Sequence, residues 1–71
     1  MQSTLGKEIE LVEARVQAQL NGRLRDFRLL LRDDGLVLQG QAHSYYAKQL
    51  AQHIVMGALA LQILANEIEV C

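Results

Sequence analysis

Proline is absent from this chain, cysteine occurs once, and no apolar stretch runs longer than the eight residues from Ile54 to Leu61, which already include Gly57. Each scarcity closes a class. A membrane-spanning helix needs about 20 consecutive apolar residues, so no stretch here qualifies. Cys71, the sole thiol, has no partner in the chain for a disulfide and anchors no metal site alone, so stability has to come from packing. Seven Lys/Arg against eight Asp/Glu leave a net charge of −1, which argues against the strongly basic kind of nucleic-acid binder. What is present is 51% hydrophobic and 21% charged, the composition of a folded globular domain and not of a disordered or collagen-like chain. A chain of this size buries only about 60% of its unfolded surface and has room for one core. A single domain over residues 1–71 is expected. The opening residues Met1 to Glu8 lack a charged region followed by an apolar one, so no secretory leader is read; the expectation is a cytoplasmic chain or an excised domain.

The hydrophobic period changes along the chain. Leu5, Ile9, Val12, Val16 and Leu20 are spaced 4, 3, 4 and 4, which places them within about 80° of arc on one helix. Ser3 or Thr4 suits its cap, Glu8, Glu10 and Glu13 suit its positive end, and Asn21-Gly22 supplies a left-handed stop. From Leu24 to Arg32 the period falls to two: Phe27, Leu29 and Leu31 share one face, Arg28 and Arg32 the other. Asp33-Asp34-Gly35 is a tight-turn sequence, and Leu36, Leu38 and Ala42 alternate with Val37, Gln39 and Gln41 after it, so the two runs form an antiparallel hairpin. Gly40, on the inward face, is expected to admit a helix backbone at close range. Ser44 caps a second helix with a stripe of Ala47, Leu50, Ala51 and Ile54, ending at Gly57 or running on to Ala60. The closing run is a third strand, with Leu64, Asn66, Ile68 and Val70 inward and Ala65, Glu67 and Glu69 outward. The reading is an α+β, αββαβ two-layer sandwich, both helices on one face of a three-stranded sheet. A helical crossover makes strands two and three parallel, so the sheet is mixed if they are neighbours.

Catalytic and cofactor motifs are missing. His43 and His53 with Cys71 match no zinc spacing, no Gly-x-Ser-x-Gly elbow or phosphate-binding glycine loop occurs, and Asp33-Asp34 is explained by the turn. No cofactor is expected and an enzyme is not. No two of the five glycines are three apart, so the Gly-x-x-Gly clamp of a KH-type RNA module is also missing and no nucleic-acid partner is expected. The residues that suggest a partner are basic and aromatic. Arg15, Arg23, Arg25, Arg28 and Arg32 are five of the seven basic residues. Facing anionic headgroups, each is worth about 1 kcal/mol. Facing Glu67 and Glu69 across the outer sheet face, Arg28 and Arg32 instead form solvated pairs. Tyr45, Tyr46 and Lys48 make an amphipathic rim at the head of the second helix, Tyr45 free and Tyr46 against the core. The candidate lipid-contacting set is Arg28, Arg32, Tyr45 and Lys48. The competing expectation is a protein partner or a homodimer, since Leu11, Ala14 and Ala18 form a second stripe on the first helix and Leu30, Val37 and Ile63 add apolar area to the outer sheet face.

Asp34-Gly35-Leu36-Val37-Leu38-Gln39-Gly40-Gln41-Ala42 resembles the second strand of BON domains, a module named for bacterial osmotically inducible and nodulation proteins. Leu38, Gly40 and Ala42 match its apolar-x-Gly-x-small pattern. Leu64, Asn66, Ile68 and Val70 are similar to the family's closing alternation of valine, asparagine, isoleucine and valine, and the likeness extends over roughly Val12 to Val70. The chain departs from the family where Ala60-Leu61 replaces a glycine-valine pair before Asn66. The resemblance implies Gly35, Gly40 and Asn66 as structural motif positions, and a non-catalytic module of envelope, osmotic-stress or secretion-associated proteins that associates with phospholipid.

Overall fold

The computed structural model describes residues 4–71. Its elements run α1 (Thr4–Gln19), β1 (Leu24–Arg32), β2 (Gly35–Ala42), α2 (Tyr45–Ala58), β3 (Gln62–Asn66) and β4 (Glu69–Val70). The sheet is mixed: β1 and β2 form an antiparallel hairpin, and β3 and β4 both lie parallel to β2 on its other side. Both helices cover one face. Val12, Val16, Phe27, Leu29, Leu36, Leu38, Ala51, Val55 and Ile68 close a single core between the layers. Among the described residues no buried side-chain polar atom lacks a hydrogen-bond partner.

The expected third strand is two strands. Asn66 Oδ1 accepts from the Ile68 amide at 3.2 Å, which turns the chain at 67–68 before Glu69 and Val70 resume pairing with Gln41 and Ala42. The phase of β3 also differs from the alternation read in sequence. Leu36 pairs with Ile63 but Val37 pairs with Ala65, so Leu64 is a bulged extra residue. Ile63 therefore packs against the core, while Leu64 lies over Gly35 on the outer face and stays exposed. Asn66 and Ile68 return to the inward side, and Val70, at the rim, is exposed.

A second bulge, between Arg25 and Arg28, sits in β1. Asp26 there adopts a φ of 54°, and the extra residue brings Leu24 and Phe27, three apart, to the same buried face. Opposite it Gly40 holds φ at +151°. A Cβ on Gly40 would meet the Arg25 carbonyl oxygen at 3.1 Å and Phe27 Cα at 3.2 Å, so the close approach is by strand β1 and not by a helix. Leu31 keeps its inward phase, paired with Leu36, but lies one residue from the end of β1 and is exposed. Val37, expected as outer apolar surface, is buried, and its partner Leu30 is half-buried.

The helices follow their stripes. Of the two expected caps, Ser3 lies outside the described residues and Thr4 is the first residue of α1 itself. Because α1 starts at Thr4, its first turn contains Lys7 and no acidic residue, so Glu8 sits beyond the reach of the helix-end charge. Glu13 has another use: its Oε2 accepts from the Leu29 amide at 2.8 Å, while Gln17 accepts from the Phe27 amide at 3.1 Å and donates to the Leu24 carbonyl at 2.6 Å. Two side chains thus satisfy three backbone groups along the free edge of β1, which blunts that edge against further strand pairing. Gly22, with φ +89°, ends the α1 turn. Ser44 Oγ accepts from the Ala47 amide at 3.1 Å as the cap of α2. That helix runs through Gly57 to Ala58, and Leu59 closes it by donating to the Val55 carbonyl at 3.0 Å.

Candidate functional site

Five segments meet at the end of the sandwich remote from the β1–β2 turn. The hairpin register carries Leu24 opposite Ala42 and Arg25 opposite Gln41. The His43 amide donates to the Arg23 carbonyl at 3.0 Å, tying the α1–β1 connection to the end of β2. The Cys71 amide donates to the Ala42 carbonyl at 2.9 Å, adding the end of β4. Ser44, two residues past Ala42, then launches α2, so Tyr45 and Tyr46 emerge at this same end.

The surface so formed carries Arg23, Arg25, Lys48 and two tyrosines, with Asp26 next to Arg25 and Glu69 facing it across Gln41. Tyr45 and Tyr46 are 63% and 65% exposed, which for two adjacent rings leaves both free to meet a partner. Tyr46 was expected to pack; the buried stripe of α2 is Ala47, Ala51 and Val55, and at 100° per residue Tyr46 stands about 140° from Ala51. The Tyr45 hydroxyl accepts from Gln49 one turn on, which holds the ring along the helix. Lys48 is half-buried, and its backbone carbonyl accepts from Asn66 Nδ2 at 3.3 Å. Asn66 Nδ2 also donates to Gln52 Oε1 at 3.0 Å, so this one side chain fastens the sheet to the first turns of α2 and fixes where the tyrosines project. Arg23 and Arg25 are exposed at the same end, tied to it through the His43–Arg23 backbone bond and the pairing of Arg25 with Gln41. A small cleft of about 80 Å³ lies between Arg25, Gln41, His43 and Cys71.

The four residues picked from sequence do not come together. Tyr45 and Lys48 belong to this end. Arg28 and Arg32 project from β1 on the outer sheet face, and Arg32, paired with Gly35, stands beside the Asp33–Asp34 turn. From Gly35 to Ala42 is about 23 Å of extended chain, so Arg32 and Tyr45 are separated by the length of the molecule's sheet. Arg28 lines an open groove of about 420 Å³ with Asp26, Gln39, Glu67 and Glu69. Glu67 accepts there from Gln39 Nε2 at 3.1 Å. Three carboxylates share that groove with Arg28, which lowers its attraction for an anion; at the end of the sheet Arg25 meets Asp26 and Glu69 but is joined by Arg23 and Lys48.

Arg23 and Arg25 are the residues that sequence reading grouped only loosely. The signal was available: counting back from the Asp33–Asp34 turn pairs position 25 with the end of β2, immediately before the tyrosines. His43 and His53 are exposed, and among the described residues no three His, Cys, Asp or Glu side chains cluster to hold a metal ion. Neither helix is long and apolar enough to cross a membrane. Chemically, the end offers guanidinium and ammonium donors together with two amphipathic rings, a set suited to an interface that is anionic outside and apolar beneath. Comparison with protein-family models, with curated proteins and with solved structures returns no match for this chain.

Proposed function

We propose that this chain is a non-catalytic binding module of the BON type, docking on phospholipid surfaces through the end that carries Arg23, Arg25, Tyr45, Tyr46 and Lys48. The observation that carries the reading is that two largely exposed tyrosines and two exposed arginines lie at one end of the sandwich, where the His43–Arg23 backbone bond ties their segments together. Tyrosine rings sit well at the headgroup level, where the hydroxyl stays wet and the ring body enters the apolar boundary. Cations beside them add about 1 kcal/mol each against an anionic leaflet. The family likeness supports the same partner class, and the structural motif positions have physical roles here: Gly35 beneath Leu64, Gly40 against β1, Asn66 between sheet and α2.

Co-sedimentation with vesicles, with and without anionic lipid and at low and high salt, tests it. Binding is expected to be stronger on anionic vesicles and to weaken as salt screens the arginines. Reversing both charges in R23E/R25E is expected to lower partitioning at least about tenfold. Replacing both rings in Y45S/Y46S is expected to weaken binding at every salt concentration, whereas R28E/R32E leaves it intact. Absence of binding to either vesicle rejects the reading, and loss of binding only in R28E/R32E moves it to the outer sheet face.

A further inference from the structure

The outer surface of α1 carries Leu11, 67% exposed, with Ala14 and Ala18 exposed beside it. Between α1 and the end of α2 runs an open groove of about 430 Å³, floored by Gly57 and Ala58 and flanked by Glu8 and Arg15. Nothing lies within 4 Å of the position a Gly57 Cβ would occupy, so the floor is open to an incoming side chain.

The charges flanking this groove select its occupant. Glu8 and Arg15 are seven residues apart on one flank of the helix, and each lies 3.5 residues, about 5 Å along the axis, from a point beside Leu11. A twofold axis through that point, perpendicular to α1, sets Glu8 of one copy against Arg15 of the other, and does so twice. It brings the two Leu11 side chains together over the Gly57–Ala58 floors. Side-by-side parallel packing of the same flanks opposes Glu8 to Glu8 and Arg15 to Arg15, which is repulsive. For the Glu8 and Arg15 that flank the groove, the antiparallel arrangement is complementary and the parallel one is not.

We infer that α1 is a homodimerisation surface, and that its partner is a second copy of this chain packed antiparallel through Leu11, Glu8 and Arg15. The contact is isologous, as a closed pair requires. It is independent of the lipid reading, because Arg23, Arg25 and the tyrosines lie outside it.

Sedimentation velocity of the full chain from roughly 5 to roughly 500 µM reads the association directly. A rise to the mass of a dimer is expected. E8R and R15E each shift the midpoint to at least about tenfold higher concentration, and E8R/R15E together restore it, since the swapped charges again face their opposites. Circular dichroism identical to that of the parent confirms that these exposed substitutions leave the fold unchanged. An independent geometric measurement uses L11C in a C71S background: mild oxidation is expected to yield a disulfide-linked dimer, whereas A18C in the same background, displaced from the axis, does not. A monomer at every concentration overturns the inference. So does a dimer that is indifferent to E8R and R15E, or whose double variant fails to recover, because either result places the contact on another face.

Discussion

Gly40 has the three nearest neighbours of its missing side chain in the backbone of β1, the Arg25 carbonyl oxygen at 3.1 Å, Phe27 Cα at 3.2 Å and the Asp26 carbonyl oxygen at 3.5 Å, and none can rotate away. Its φ of +151° lies where an L-residue is strained. The expected cost of G40A is about 2–3 kcal/mol, read as a lower urea midpoint with unchanged slope. Gly35 is a mixed case: a Cβ there meets Leu64 Cγ at 2.5 Å, a half-exposed side chain that can swing outward, but also the Gln62 carbonyl oxygen at 3.0 Å, which cannot. Asn66 differs again, since its value lies in hydrogen bonds to Lys48, Gln52 and Ile68 that join two layers and break the strand. All three positions were singled out by the sequence motif. Their physical roles were not legible there, because each depends on atoms more than ten residues away.

The helices and strands were legible as elements because their signals are local. A stripe at 3.6-residue spacing, a Ser44 cap and an Asp-Asp-Gly turn act within a few residues, and the observed bounds of α2 and of the hairpin follow them. Gly57 is the local exception: it lies inside α2 although glycine is a poor helix former, because packing of Ala51 and Val55 carries the helix past it. With open space around its Cβ position, G57A is expected to stabilise the fold by about 0.5–1 kcal/mol, seen as a higher melting midpoint in dilute protein. Bulges at Asp26 and Leu64 were not legible. A bulge is a property of a strand pair, so alternation within one strand assigned Leu64 inward and Ile63 outward when the pairing with β2 reversed them.

At the scale of the whole molecule, α1 runs from the hairpin end to the basic end, where it leads into Arg23. An antiparallel pair built on α1 therefore carries its two tyrosine-arginine ends at opposite extremes, facing away from each other. Combined with lipid binding, this arrangement is expected to bridge vesicles. Turbidity of anionic vesicles rises on adding the parent chain, and L11E is expected to bind the same vesicles without raising it. Binding with no clustering by the parent chain would mean that the two surfaces do not act together.

The α-β-β-α order up to the closing strand, the Ser44 cap, the inward stripes of both helices and the class of the fold were determined by the amino-acid sequence alone, because backbone sterics and burial periodicity operate over a few residues at a time. The tertiary structure decided the rest. It placed Arg28 among carboxylates on the open sheet face and Arg32 beside the Asp33–Asp34 turn, and it brought Arg23 and Arg25 to the end of the sheet from which α2 starts. It also gave Glu13 and Gln17 to the edge of β1. Those outcomes turn on strand register and on one extra residue in each of two strands, and register is settled by partners that lie far apart along the chain and meet only when the core closes.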